Sequence, residues 1–508
     1  MQQDKLASGP QLVVPPPSVA RHPDTILRLG ELKAWLHELP LADPRQLATQ
    51  LHRQLRLLVR DPSSNGHYRD LLSAYHPMLR SLQRQVWDDM SHSEMVRKPA
   101  LQLRNTVAQL LLEIACGHMR LVNQSIGVGE QPQASDLLHA SLALARLLQW
   151  DVLQYNLTRP AIWRQLLQLF AISELYQLSA SRVDSDLRLE FDARTVHSVF
   201  FSTLVLLLSD PYRLPRIAVN RLVTGLSRLA EHLRSLPTPQ DTHCIALTPT
   251  GMAPPLRFAR RREGETCEYL QLDQFLAQLE AQGLPEDDGV LAAWLRASLL
   301  DLADQQDSHE ARRHQRLERF ADYHFVHGLR LVHERLRDIQ LGHHVEVDRQ
   351  HTGIIVEEEF ATDACELGAP ARQTDHSLSG AGFRLHANVS VPEIGEWVLF
   401  EADAQPGQSS GVGFVGRIRR RLQQEDGSTD IGVEKLRGNI IPVGIGITHS
   451  PALLNADREQ GVFQLIAPSG TFTQQAVQTL HGSNKQYRVQ YDELLEQSDI
   501  QRIRLSLL

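Results

Sequence analysis

The sequence predicts an α+β multidomain protein, with an all-α N-terminal array followed by a β-rich C-terminal part. Three observations carry this. Apolar residues recur at three- and four-residue spacing as far as about residue 236. After about residue 343, short apolar segments alternate with Gly-rich and polar turns. The chain has 508 residues, enough for two to four domains with buried cores.

Taken in order, residues 1–22 read as a disordered tail that includes Pro15-Pro16-Pro17. Residues 23–236 read as helical throughout. The stripe Leu47, Leu51, Leu55, Leu58 is one such face, and further helices are expected at 135–157, 160–180, 192–209 and 215–235. Pro44, Asp61-Pro62, Gly127-Val128-Gly129, Pro160, Asp210-Pro211 and Pro237 separate them. Helix pairs of this kind stack as a solenoid or close as a bundle, and no fixed repeat period selects between the two. Trp150, Tyr155, Trp163, Phe170 and Tyr176 are core residues by default; a partner-binding groove is the sharper alternative.

Residues 237–307 read as a small mixed segment. Strands are expected at 243–248, 256–259 and 267–273, and helices at 272–282 and 290–304. Residues 308–342 read as one long connecting helix, with Leu317, Phe320, His324, Phe325, Leu329, Val332, Leu336 and Ile339 along a face. A strand-rich region follows over 343–440. Residues 441–508 carry strands at 440–447, 461–467, 475–480, 486–492 and 499–507, as a separate small β-domain or as an extension.

Charge is near balance, with 52 basic and 60 acidic residues and a net −8, which argues against a bulk nucleic-acid binder. Cys116, Cys244, Cys267 and Cys365 are scattered without CxxC spacing. That favours a reducing, cytoplasmic compartment over a disulfide framework. The longest apolar run, 199–208, is too short to span a bilayer. No GxSxG, P-loop or dinucleotide fingerprint is present, and no enzyme activity or cofactor is expected. Histidines crowd 309–351, but only His324 and His327 have ligand-like spacing and no third ligand joins them, so no metal is expected.

The most informative stretch is Thr374-Asp375-His376-Ser377-Leu378-Ser379-Gly380. Asp and Ser side chains bond nearby amides and shape a turn, and glycine permits close approach. Asp375, Ser377 and Gly380 match Asp-x-Ser-x-x-Gly, and the chain here resembles the PilZ domain family, whose members bind cyclic di-GMP. Later segments, 395–400, 412–418 and Asp430-Ile431-Gly432-Val433-Glu434, are similar to that family's following strands. The resemblance implies a PilZ-like antiparallel β-barrel over 343–440. It also implies that an Arg-x-x-x-Arg element precedes the barrel, and Arg312-Arg313-His314-Gln315-Arg316 fits that spacing. On a helix Arg312 and Arg316 would share a face and converge on one anion. Arg257/Arg261 and Arg417/Arg421 have the same spacing, and Arg372 is a further phosphate contact. The ligand set implied is therefore Arg312, Arg313, Arg316, Arg372, Asp375, Ser377 and Gly380.

The reading is a cyclic di-GMP receptor or adaptor whose helical region binds an unidentified protein partner, in motility or surface attachment. A PilZ-like scaffold that binds no nucleotide and a metal-dependent hydrolase using the histidine-rich segment are the alternatives. Neither a nucleic-acid partner nor a membrane span is expected.

Overall fold

The computed structural model describes residues 12–62, 67–92, 98–185, 187, 193–247, 268–284, 289–307, 317–352, 369–376, 380–402, 412–424, 426–436, 438–446, 448–457, 462–482, 485–496 and 500–508. The chain divides into two units, residues 1–310 and 311–508.

The first unit is built from α1 (Leu29–His37), α2 (Pro44–Arg60), α3 (Tyr68–Ala74), α4 (His76–His92), α5 (Lys98–Gly127), α6 (Ala134–Leu153), α7 (Pro160–Leu175), α8 (Val196–Leu208), α9 (Arg216–Leu229), α10 (Asp273–Gln282) and α11 (Val290–Asp307). Local chemistry sets the starts. Asp43 accepts hydrogen bonds from the amides of Arg45 and Gln46, with Pro44 in the first turn of α2. Thr195 caps α8 in the same way, accepting from the Ser198 amide. The expected stripe Leu47, Leu51, Leu55, Leu58 is buried. Helices α6 and α8 are buried along almost their whole length and form the centre of the unit. Trp150, Tyr155 and Trp163 are buried, while Phe170 stacks on Phe200 with centroids 4.1 Å apart. These aromatics are core residues.

Two expectations are corrected here. The tail expected to be disordered over 1–22 is described from Leu12 onward, and Leu12 is buried against the helices. The Asn123 side chain accepts from the Leu12 amide (3.1 Å) and donates to the Leu12 carbonyl (2.9 Å). The mixed segment after Pro237 does not stand apart. Strands β1 (Arg234–Leu236), β2 (Cys244–Leu247) and β3 (Glu268–Gln271) form an antiparallel sheet with β3 central. Ile245, Leu270, Phe275, Leu279, Leu295 and Leu299 join the same hydrophobic core as α1–α9. The prolines near 237 mark a turn within one core, because the helical array needs this apolar surface to cover its own. The strand expected at 256–259 lies outside the described residues.

The second unit holds two closed six-stranded antiparallel barrels. The first consists of β4 (Leu317–His327), β5 (Ala369–His376), β6 (Gly380–Leu385), β7 (Trp397–Ala402), β8 (Val412–Gln423) and β9 (Thr429–Lys435), in the order β4-β5-β6-β9-β8-β7. Phe325, Phe383 and Phe400 fill it, and the last two stack at 3.9 Å. The second consists of β10 (Asn439–Ile445), β11 (Ser450–Asp457), β12 (Val462–Pro468), β13 (Val477–His481), β14 (Gln486–Glu496) and β15 (Ile500–Leu507), in the order β10-β11-β12-β15-β14-β13. The segment expected as a β-region after 440 is thus a barrel of its own, with β11 as an additional strand.

The connecting helix expected over 308–342 is corrected more sharply. Residues 317–327 are the first strand of the first barrel, and the helix α12 (Leu329–Thr352) begins only after Gly328. In β4 the core-facing residues are Tyr323 and Phe325, two apart, and the run is rich in aromatic residues suited to a pleated surface. Gly328 has φ +90°, a conformation that favours glycine, so the chain turns there from strand into helix. The barrel accordingly runs from 317 to 435 rather than from 343 to 440. Leu329, Val332 and Leu336 of α12 pack with Trp397, Leu399 and Val415 of the first barrel and with Leu453 and Ile466 of the second. Arg335 makes a two-pronged ion pair with Glu401 of β7, at 2.7 and 2.8 Å. Arg417 of β8 pairs with Glu496 of β14 across the two barrels.

The shared core makes a fragment test decisive. Residues 12–307 are expected to be soluble, helical and cooperative in thermal melting followed by circular dichroism. Residues 22–236 lose the cover given by Ile245, Leu270, Phe275 and Leu295, and are expected to aggregate or melt without a sharp transition. A cooperative, monomeric 22–236 fragment would overturn the single-core description.

Candidate functional site

The corner formed by β4, β5 and β6 carries the site. Two β-bulges lie in it, and a third lies on the same sheet in β8. One falls between Glu318 and Ala321 of β4, one between Gln373 and Asp375 of β5, and one between Ile418 and Arg420 of β8. The β5 bulge decides which side chains meet. In a regular strand, residues 372 and 375 point to opposite faces. With one extra residue between them, Arg372 pairs with Arg384 while Asp375 pairs with Gly382, and both partners sit two apart on one face of β6. That face is the outer one, since Ala381, Phe383 and Leu385 point into the core.

Two rows run across the strands on this face. The first is Glu318, Asp375, Gly382, Gly432, Arg420, each paired with the next. The second is Asp322, Arg372, Arg384, Asp430. Gly380, opposite Glu434, lies two residues beyond Gly382 on the same face. The middle of the first row carries no Cβ. A Cβ on Gly382 would stand 2.9 Å from Thr374 Oγ1 and 3.0 Å from Asp375 Oδ1, so the carboxylate lies over the glycine backbone. A Cβ on Gly432 would stand 3.2 Å from the Cβ of Arg420. Asp375 is half-buried with its Oδ1 shielded from solvent, and Arg372 and Arg420 are exposed.

Electrostatics divides the arginines. Arg384 is committed to Asp430 through two bonds, 2.7 Å from Nε and 3.0 Å from a terminal nitrogen, and Gln424 donates to the same carboxylate. The hydrogen bond to Asp430 holds the Arg384 guanidinium above its ordinary pKa. Arg419 pairs with Glu434 at 2.6 Å. The face therefore offers a carboxylate acceptor and a glycine floor on which a planar ring can lie, with Arg372 and Arg420 exposed at its neighbouring positions.

Of the expected ligand residues, the structure brings Arg372, Asp375 and Gly380 to one face. Ser377, Arg312, Arg313 and Arg316 lie outside the described residues, as do Arg257 and Arg261. The residue that follows Arg316 in sequence, Leu317, opens β4 and pairs with His376. Sequence reasoning missed Gly432 and Arg420 as parts of this face, because their place depends on register and bulges. His324 and His327 both lie on β4. On a strand, positions three apart face opposite sides, and His327 is engaged by Glu396 and Ser390. In the first unit, sequence reasoning also missed a buried cluster of His76, His118 and His139, from three different helices.

The fold defines a class: a helical unit joined in one chain to a unit of paired antiparallel barrels. Residues 30–239, under half of the chain, match the family described as Cyclic-di-GMP receptor FimW, N-terminal domain. No curated protein matches the chain. Among the described residues, no helix is long and apolar enough to cross a membrane.

The glycine floor is testable by stability alone. Gly382→Val is expected to destabilise the protein by about 1–3 kcal/mol in thermal or urea unfolding, because the side chain must displace Thr374 and Asp375. Gly30→Ala, in α1 with open space around it, is expected to be neutral or stabilising by up to about 1 kcal/mol.

Proposed function

We propose that the protein is a cyclic di-GMP receptor that enzymatically transforms nothing and couples the nucleotide to protein partners. The observation that carries this reading is the match of residues 30–239 to a family of cyclic di-GMP receptors. The PilZ-like signature, at the outer corner of the first barrel, supports placing the ligand there. Asp375 accepts the N–H edge of a guanine whose ring lies over Gly382 and Gly432. Arg372 and Arg420 flank it and pair with phosphate oxygens. The Arg312, Arg313 and Arg316 cluster is attached in sequence to the start of β4, whose Glu318 is paired with Asp375. It supplies the remaining phosphate contacts in this reading, and Ser377 and Gly380 complete the turn.

The helical unit is the partner-facing part. Ligand bound between the arginine cluster and the barrel restrains the start of β4, and β4 runs through Gly328 into α12, which contacts both barrels. A ligand shifts such an arrangement only by its differential affinity for two states, so the coupling requires contacts to both elements.

Calorimetric titration of the full chain with cyclic di-GMP is the test. Asp375→Ala is expected to weaken binding by about 1–3 kcal/mol, the cost of a lost hydrogen bond to a charged group. Replacing Arg312 and Arg316 by Ala is expected to weaken binding and flatten its salt dependence, whereas replacing Arg257 and Arg261 does neither. Affinity unchanged by Asp375→Ala removes the ligand from this corner. Complete lack of binding favours a scaffold that works through protein contacts alone.

A further inference from the structure

We propose that His76, His118 and His139 form a buried binding site for one divalent transition-metal ion, of the zinc type, in the helical unit. The three residues come from the first turn of α4, the interior of α5 and the second turn of α6. One ring nitrogen from each lies within 4.8 Å of the others, and all three residues are buried. The Nε2 atoms of His76 and His118 are 3.3 Å apart. Two nitrogens bound to one zinc at about 2.0–2.1 Å stand about 3.3–3.4 Å apart across a tetrahedral edge, so this pair already has the spacing of ligands to a common ion.

The surrounding shell has the form that metal-bound imidazole requires. His118 Nδ1 is 3.0 Å from Asp136 Oδ1, and a carboxylate only accepts, so Nδ1 carries the proton. That leaves the lone pair of His118 on Nε2, the atom facing His76. Arg69 holds Asp136 in turn, with bonds of 3.1 and 3.2 Å from Nε and 2.7 Å from a terminal nitrogen. A carboxylate that orients a histidine and raises its basicity is the usual partner of a histidine ligand.

His139 separates this reading from an ordinary polar core. Among the described residues, neither of its buried ring nitrogens has a hydrogen-bond partner. A hydrogen-bonded chain from Arg69 through Asp136 and His118 to His76 accounts for the first two histidines and leaves the third unexplained. An unsatisfied buried polar group is costly, and three imidazoles converging on one point are rarely kept for packing alone. His139 shares a face of α6 with Asp136, three residues earlier, so a rotation of its ring closes the set and no hydrogen bond opposes it. Nitrogen donors suit zinc, copper, nickel or cobalt better than magnesium or calcium, and three of them leave a fourth position for water. The ion would cross-link α4, α5 and α6 at the centre of the unit.

The test uses the full chain without a histidine tag. Elemental analysis, followed by titration of chelator-treated protein with Zn(II) and Co(II), is expected to give one equivalent per chain. Zn(II) is expected to raise the melting temperature. The His76→Asn/His139→Asn double variant is expected to lose at least about tenfold in affinity, and Asp136→Asn about 10–100-fold. X-ray absorption on the Zn(II)-loaded wild type, which depends on no variant folding, is expected to show three imidazole ligands. Protein that takes up no metal and does not change its melting temperature overturns the proposal. So does binding unchanged in the double variant, or a spectrum with fewer than three imidazoles, since the chain has 23 histidines that can bind ions adventitiously.

Discussion

The second unit depends on the burial of one helical stripe. Leu329, Val332 and Leu336 of α12 meet Trp397, Leu399 and Val415 on one side and Leu453 and Ile466 on the other. Each barrel has its own aromatic or aliphatic interior, and this cluster is separate from both. Fully burying a side chain of this size contributes about 1.5–3 kcal/mol, whereas largely buried ion pairs such as Arg335–Glu401 lose much of their Coulombic gain to desolvation. Arg335–Glu401 and the pairing of Arg417 and Arg419 with Glu496 set orientation more than energy.

The candidate corner depends on a different constraint. A strand alternates its side chains, and the extra residue in β5 changes the phase. Arg372 and Asp375 come to share a face only because of that residue. The glycines opposite Asp375 keep the face shallow, and Asp430 withdraws Arg384 from it. Local backbone irregularity, rather than any single side chain, gives the surface its arrangement of charge.

Much of the helical unit was legible. The proline at 44 and the stripe from Leu47 to Leu58 are local signals, and local physics decided that element. Strand β4 was misread because Leu317, Phe320 and His324 also satisfy helical spacing, and aromatic enrichment was the overlooked arbiter. Strand β11 escaped because Ala452 and Leu454 face a barrel interior while Leu453 faces α12, so its apolar run does not alternate. Pro451 and Asn455 further obscured it. At the candidate site the motif residues were visible, but Gly432 and Arg420 reach the corner only through pairing between distant strands. His76, His118 and His139 have no motif spacing, and only the packing of three helices brings them together.

The joints of the second unit carry a final consequence. One glycine separates β4 from α12, and three residues separate Lys435 of β9 from Asn439 of β10. Leu436, inside that second joint, donates its amide to the Val415 carbonyl and packs on the α12 cluster. Two modules on a long tether sample a volume set by the tether, and their mutual concentration falls as it lengthens. Here almost no tether exists to sample. The two barrels therefore stand in one arrangement fixed by a short joint and a shared cluster, so the faces of one keep their places relative to those of the other and little ordering entropy remains to be lost.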